Sequence, residues 1–580
     1  MDFLSRDRYR QAVEELAEAD GEAQVQVALS CIETARQAVE AAGPDKHDWQ
    51  DKREQHVGYY LIGEGRRSFE RAIGFVPRAG ERLRRFFFRH ATAVYLGSIS
   101  ALTAAGVFLP VAYARSEGAS SSGLLLTAAL TLLPASEMAI VLVQRLVTAL
   151  VPPRRLPRFS LDGGIPPDAA TMVIVPTILT SASNARHVFE HLEVQAIGNL
   201  DPQAYFAVLA DFPDGESPDP AGDREILEAA RESVQALNAR HGREGHDVFF
   251  LFHRERRYNP KEGLWMGWER KRGKIEEFNR LLRGDTDTSY KTPTPSTPLP
   301  FIRYCVTLDT DTQLPRGALR SLVGIASHPL HRPRFDRELG LVKRGYGILQ
   351  PRVSVTLASG SKSVFARIYA GHTGVDPYTT SASDVYQDVF GEGIFTGKGL
   401  YDVEAFMQAL SGRVPENALL SHDLFEGLYA RVALASDVEV VDDYPSSVLA
   451  HARRQHRWVR GDWQILLWLF AWVPTRRGLT RNRLPLISRF KILDNLRRSL
   501  LAPALLLLLA AGFTVLEGNP AVWTAAAVLV VALPGAFEAL RLLFRARSGP
   551  RVWSAFLRES LDDLKTALAR AFLGVMLLPY

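Results

Sequence analysis

Two aspartates two residues apart, Asp309 and Asp311, follow the apolar run 301–308. In an extended segment residues i and i+2 project to one side, so the pair can share a hard divalent cation with phosphate oxygens. Such a site suits Mg²⁺ or Mn²⁺. A second Asp-x-Asp, Asp285 and Asp287, follows a helical stretch and leads into the Pro/Thr-rich residues 291–300. It lacks a preceding apolar strand and reads as a decoy.

Displacing a nucleoside diphosphate from a sugar carbon needs a base for the acceptor hydroxyl and an electrophile for the leaving phosphates. Asp423, in Ser421-His-Asp-Leu-Phe-Glu-Gly427, is the candidate base, although an acid in a polar turn before an apolar helix also serves as an ordinary cap. The metal held by Asp311 is the candidate electrophile. Lys271 and Lys274 lie in Arg270-Lys-Arg-Gly-Lys-Ile-Glu-Glu-Phe-Asn-Arg-Leu-Leu282, where a helix start with two ammonium groups could hold a diphosphate. Basic helix starts are more often solvated faces, and only the neighbouring strand ends favour the ligand reading. Downstream, Arg453-Arg-Gln-His-Arg-Trp-Val-Arg-Gly-Asp-Trp463 combines guanidinium forks for phosphate with indole faces for sugar rings.

These residues need a frame that converges on one edge. From 171 to about 441 short apolar runs alternate with helical stretches: 172–175, 205–209, 248–252 and 302–308. The alternation predicts an α/β fold with a largely parallel sheet. Ligands of such sheets bind beyond the carboxyl ends of the strands. There stand Pro176 and Thr177 after the first run, Asp211 and Asp214 after the second, and Asp309 and Asp311 after the fourth. Ser383-Asp384 and Gly397-Lys-Gly399 are candidates to line an acceptor path.

Around this domain the pattern changes. Residues 1–88 alternate charged and apolar positions with helical period and predict a soluble helical region. Residues 91–114 carry no charged side chain, enough at ~1.5 Å per residue to cross a hydrocarbon core of ~30 Å. With the apolar run 123–151 they predict a transmembrane hairpin over 89–153. Glu137, inside the second run, is expected to face a helix partner or the interface. A second hairpin is predicted over 500–541, preceded by an interfacial amphipathic helix at 479–499, and 560–580 begins a truncated membrane segment. Arginine clusters flank both hairpins on the side of the domain at 165–475, which the positive-inside tendency places in the cytosol.

Composition narrows the classes. A net charge of only +5 among 580 residues makes nucleic acid a poor partner. Two cysteines, Cys31 and Cys305, permit neither a disulfide framework nor a cysteine zinc site. The charged N-terminus has no secretory signal pattern.

With Asp-Phe-Pro-Asp, Leu-Asp-Thr-Asp, Ser-His-Asp and Arg-Gln-His-Arg-Trp in order between membrane helices, the chain resembles the family 2-like processive glycosyltransferases, such as cellulose, chitin and hyaluronan synthases. Thr307-Leu-Asp-Thr-Asp-Thr-Gln-Leu-Pro315, Phe395-Thr-Gly-Lys-Gly-Leu-Tyr401 and Gln455-His-Arg-Trp-Val-Arg-Gly-Asp-Trp463 look most like the glucosyltransferase region of cyclic β-1,2-glucan synthases, over nearly the whole chain. That resemblance implies a GT-A-type domain in a bacterial inner membrane, facing the cytosol. It also implies inverting, processive transfer from UDP-glucose, with Mg²⁺ or Mn²⁺, onto a β-1,2-glucan carried on the protein. Position by position it implies Asp211 near uracil and ribose, Asp309 and Asp311 on metal and diphosphate, Asp423 as base, and Arg457 and Trp458 closing the motif. The family pattern has glutamine three residues before that arginine; here Arg454 takes that place and Gln455 follows, so either can meet substrate. Full-length members also carry a phosphorylase-like region, which nothing in this sequence resembles. Another β-glucan synthase, osmoregulated or cellulose-like, would use the same acids; a non-catalytic nucleotide-sugar sensor or export scaffold would not need them intact.

Overall fold

The computed structural model describes residues 1–17, 21–42, 53–242, 246–291, 293–370, 384–545 and 553–578. Helices α1 (Phe3–Ala17), α2 (Gly21–Ala42), α3 (Val57–Leu61) and α4 (Arg66–Ala72) share a small core of Tyr9, Leu16, Cys31, Tyr60 and Phe69. This unit is fastened to the rest of the protein: Asp2 pairs with Arg158 at 2.9 Å, and Tyr9 Oη lies 3.2 Å from His328 Nε2. Helix α5 (Ala79–Arg89) then leads into α6 (Ala91–Ser116) and α7 (Ser121–Leu150), which pack as a hairpin.

The catalytic-domain candidate follows as β1 (Thr171–Ile178), α8 (Ala182–Ile197), β2 (Ala204–Asp211), α9 (Asp223–His241), β3 (Phe249–His253), the ribbon β4 (Arg257–Asn259) and β5 (Leu264–Met266), α10 (Arg270–Leu281) and β6 (Tyr304–Thr307). Next come α11 (Ala318–Ala326), the ribbon β7 (Arg334–Asp336) and β8 (Leu341–Arg344), β9 (Ile348–Val355), α12 (Leu357–Ser361), α13 (Val364–Tyr369) and β10 (Gly399–Asp402). The domain closes with α14 (Val403–Leu410), α15 (Asp423–Ala430), β11 (Val432–Asp442), α16 (Val448–Gln464) and the ribbon β12 (Trp472–Thr475) and β13 (Gly478–Arg481).

Seven strands form one sheet in the order β11-β9-β10-β6-β1-β2-β3, parallel except for β10. Its central strands are apolar on both faces because both are covered: Val173, Phe206 and Val306 join one core, and Ile174, Leu209 and Cys305 the other. The chain runs outward from β1 through β2 to β3, then returns to place β6 on β1's other side. The carboxyl ends of β1 and β6 therefore flank the point where strand order reverses, where doubly wound sheets open a crevice. Pro176 lies past the last β6 partner of β1, Ile174 opposite Thr307, so its missing N–H interrupts no ladder there.

Helices α6, α7 and α17 (Leu486–Thr514) are each long and apolar enough to cross a membrane. The sequence predicts an interfacial helix over 479–499 and a separate hairpin from 500; instead α17 is continuous from Leu486. Its charges are satisfied by the protein, so the helix has no need to break at the interface: Lys491 donates to the Gly393 carbonyl (3.1 Å), and Arg497 pairs with Asp494 (2.8 Å) and Glu137 (2.6 Å). Glu137 thus faces a helix partner. Residues 479–481 belong instead to the β12–β13 ribbon. Helix α18 (Pro520–Arg545) packs its Trp523 against Gly512 of α17; its apolar stretch, Pro520–Leu533, is shorter than the three candidate spans. Helix α19 (Trp553–Met576) starts ahead of residue 560 and lies against α18.

Candidate active site

Asp309 emerges half-buried from the end of β6 between two lysines. Lys271, in the first turn of α10, donates to its Oδ1 at 2.6 Å, and Lys398, just before β10, stands 3.2 Å from its Oδ2. Burial alone would raise the Asp309 carboxyl, but Lys271, ahead of Lys398, holds it well below the usual carboxylate range. Lys398 is itself buried and also pairs with Asp442 at the end of β11. Asp442 accepts a 2.6 Å hydrogen bond from the Thr312 hydroxyl, tying the loop after β6 to β11.

Asp311 is exposed on that loop. Its carboxyl is pushed up by partial burial and then by the like charges of Asp442 and Asp309. Asp309 and Asp311 are the residues that would hold a divalent cation here, and such an ion would have to displace Lys271 and Lys398 from the Asp309 oxygens.

Asp423 opens α15 across the crevice. Its position depends on Gly397: at φ +83°, a Cβ there would sit 2.7 Å from Asp423 Oδ1. The close approach of the Gly397-Lys398-Gly399 strand entry therefore requires glycine and brings Lys398 and Asp423 to one site. Lys271 joins them electrostatically: burial opposes its charge, but Asp309 first and Asp423 second keep its ammonium above the ordinary value. Behind Asp423, His422 Nδ1 lies 2.8 Å from Glu426 Oε1. Burial disfavours the imidazolium, and Glu426 ahead of Asp423 outweighs it, raising the His422 pKa. His422, Asp423 and Glu426 offer donor atoms within 4.8 Å of one another, a set able to take a cation; His422 Nδ1 and Glu426 pair by charge at 2.8 Å, but that nitrogen is buried without a hydrogen bond among the described residues.

Two other expected ligands lie beneath the crevice. Asp211 is buried and accepts both arms of Arg254 at 2.8 Å; Lys274 lies 3.1 Å from it and donates to the Thr177 carbonyl. Burial would raise the Asp211 carboxyl, but Lys274 and Arg254 lower it, while burial drives the Lys274 ammonium down to about 8. Lys274, expected to reach a diphosphate from the helix start, lies here against Asp211 and the Thr177 carbonyl. Its first-turn neighbour Lys271 points into the crevice, whereas Lys274, one turn on, points at the sheet. Arg254 completes this buried network with Glu277 at 2.8 Å. Asp214 pairs with Arg270 at 2.7 Å, beside Lys271, and Thr177 is buried next to half-buried Pro176.

Helix α16 is held against the Asp423 turn by another close approach, since a Cβ at Gly461 would fall 2.0 Å from Ser421 Cβ. Arg454 and Trp458, four residues apart on one helical face, stack with the guanidinium 4.8 Å from the ring centroid. Arg454 acts on Lys398 electrostatically, whereas Gln455 and Arg457 are exposed. Of the two residues left open by the motif, Arg454 is the one whose charge reaches the crevice. Asp384 is buried near Lys491, away from Asp309; Ser383 lies outside the described residues. Arg254 was not singled out in the sequence, and Lys398 only within Gly397-Lys-Gly399 as a candidate to line an acceptor path. Arg254 directly follows the apolar run 249–252 and His253, the same strand-end signal that marks Asp309.

No protein-family model matches the chain. Over its entire length it is 39% identical, across 586 aligned residues, to the cyclic beta-(1,2)-glucan synthase NdvB of Rhizobium meliloti (strain 1021). The chain spans 20% of that protein's length. It is homologous from end to end to one stretch of that synthase, so the likeness carried by the Leu-Asp-Thr-Asp and Gln-His-Arg-Trp motifs extends to the whole sequence.

Proposed function

We propose that this homologue of a cyclic β-1,2-glucan synthase stretch is the membrane-embedded glucosyltransferase of such an enzyme, moving glucose from UDP-glucose to a growing β-1,2-glucan with inversion. The observation that carries the reading is the convergence of Asp309, Asp311, Lys271 and Asp423 at one sheet edge, at the reversal of strand order.

Asp423 would take the proton of the attacking hydroxyl, which bonds to the anomeric carbon as the bond to UDP breaks on the opposite face. Its carboxylate is half-buried, close to Lys271, and anchored at a helix start rather than on a mobile tip. When bound, the divalent cation would supply charge neutralisation for the departing diphosphate. Asp309 and Asp311 would hold that cation, and Lys271 would swing from Asp309 toward the phosphates that replace it. Arg454 would add positive charge at the crevice mouth, with Trp458 as a platform for a sugar ring.

The arginines beside α6, α7 and α17 support an active site on the cytosolic side of the membrane, which this reading takes to be a bacterial inner membrane. Transfer of labelled glucose from UDP-glucose by the purified chain, with and without divalent metal, tests the reading; product without metal or donor other than UDP-glucose would overturn its details separately.

A further inference from the structure

The first candidate membrane span is entered through an amphipathic helix. Helix α5 buries none of its side chains, and Leu83, Phe86 and Phe87 are 57%, 56% and 47% exposed. At ~100° per residue these three form one stripe, flanked by Arg82, Arg85 and Arg89. Helical bonding continues into α6: His90 N–H donates to the Phe86 carbonyl (3.1 Å) and Val94 N–H to that of His90 (3.0 Å). A bare aromatic stripe joined this closely to a membrane span lies at the level of the lipid headgroups.

On the arginine side of that stripe, α4 and α5 border a wide, solvent-open groove of about 470 Å³. Arg67, Arg71, Arg82, Arg85 and Arg89 line it, against one carboxylate, Glu70. Glu70 is buried and already saturated, accepting both arms of Arg85 at 2.7 Å and Arg66 at 3.0 Å. Among the described residues Arg82 and Arg71 use only Nε, bonding the Pro77 and Arg67 carbonyls at 2.9 and 3.3 Å. Among the described residues the side chains of Arg67 and Arg89 have no carboxylate partner. The groove therefore gathers guanidinium donors in excess of any internal anion, with Phe75, Pro77 and Phe86 as its apolar wall.

We propose that this groove binds the phosphate headgroup of an anionic glycerophospholipid, whose acyl chains run along Leu83, Phe86 and Phe87 toward α6. Guanidinium forks match phosphate oxygens, and the apolar stripe accounts for the tail, which a free phosphate would leave bare. The inference stands apart from the glucosyltransferase reading, since none of these residues belongs to the sheet-edge site.

The test is native mass spectrometry of the full chain in a neutral detergent, titrated with phosphatidylglycerol or phosphatidylcholine of equal acyl length. The wild type is expected to bind phosphatidylglycerol at least tenfold tighter. The triple variant Arg71→Gln, Arg82→Gln, Arg89→Gln should lose about fivefold per arginine, on the order of 100-fold in all, with phosphatidylcholine binding unchanged. These arginines are exposed and the Glu70 cluster is untouched, so a circular-dichroism melt should match the wild type. Leu83→Ser with Phe86→Ser should also weaken phosphatidylglycerol binding while leaving competition by inorganic phosphate as it was. Equal binding of the two lipids, or a triple variant with undiminished preference, overturns the site. Complete displacement by equimolar inorganic phosphate, with no effect of the Leu83 and Phe86 changes, overturns the lipid as its ligand.

Discussion

Lys398 Nζ stands 3.2 Å from Asp309 Oδ2 while pairing with Asp442, so one buried ammonium ties the end of β6 to the end of β11. The antiparallel strand β10 delivers that lysine between them, and the same glycine-flanked turn fixes the place of Asp423. The sheet's only reversed strand thus assembles a crevice whose acids come from segments more than a hundred residues apart.

Removing that ammonium should cost stability. Lys398→Met leaves buried Asp442 without its cation and is expected to destabilise the protein by about 3–5 kcal/mol, with Lys398→Arg recovering most of the loss. Thermal unfolding in detergent reads both; wild-type melting of the methionine variant would deny the pairing.

Asp423→Asn keeps size and polarity but cannot accept the hydroxyl proton. Transfer should fall by ~10²- to 10⁴-fold, while the Kd for UDP-glucose stays within about twofold. Undiminished turnover would remove Asp423 from the chemistry.

The pairing of Asp211 with Arg254 and Lys274 predicts a structural role, whereas the family resemblance implies a nucleotide contact. Asp211→Ala takes the carboxylate from buried Lys274 and leaves Arg254 to Glu277, and should destabilise by about 3–5 kcal/mol. A normal melt combined with lost UDP-glucose binding would restore it as a ligand contact.

The seam between the N-terminal helices and the sheet domain should be acid-sensitive. His56, His328 and His331 lie with ring centroids 4.8 and 5.3 Å apart in sequence along it. Burial lowers all three, His331 to about 3. A base depressed on folding binds its proton more tightly in the unfolded chain, so stability is full above the ordinary value of 6.5 and declines as pH falls toward 3. Protection factors for hydrogen exchange in α1, corrected for the intrinsic rate at each pH, should fall between pH 7.5 and 5.5 while those in β1 and β2 hold. Equal protection of α1 at both values would contradict the linkage.

Much of this frame was legible beforehand, for physical reasons. Parallel strands buried on both faces write themselves as apolar runs, and polar residues at their carboxyl ends mark a ligand edge, which is how Asp309 and Asp311 stood out against Asp285 and Asp287. The latter pair is tied up locally, with Arg280 2.8 Å from Asp285. Ion pairs across the fold leave no such trace. Nothing in Gly-Lys-Gly announces that Lys398 meets Asp442, and Lys274 looks like Lys271 until Asp211 is seen beneath it. The start of α17 was obscured for the same reason: a charged segment reads as interfacial unless its partners, here Gly393, Asp494 and Glu137, are known.

The most direct test of the central claim is incubation of the detergent-solubilised chain, and of Asp311→Asn, with radiolabelled UDP-glucose over a Mn²⁺ titration, followed by linkage analysis of the labelled product. The expected result is β-1,2-linked label that disappears with chelator, and a variant needing at least tenfold more metal. Label in another linkage would move the chain to a different β-glucan synthase, and no metal-dependent label at any concentration would contradict the glucosyltransferase assignment.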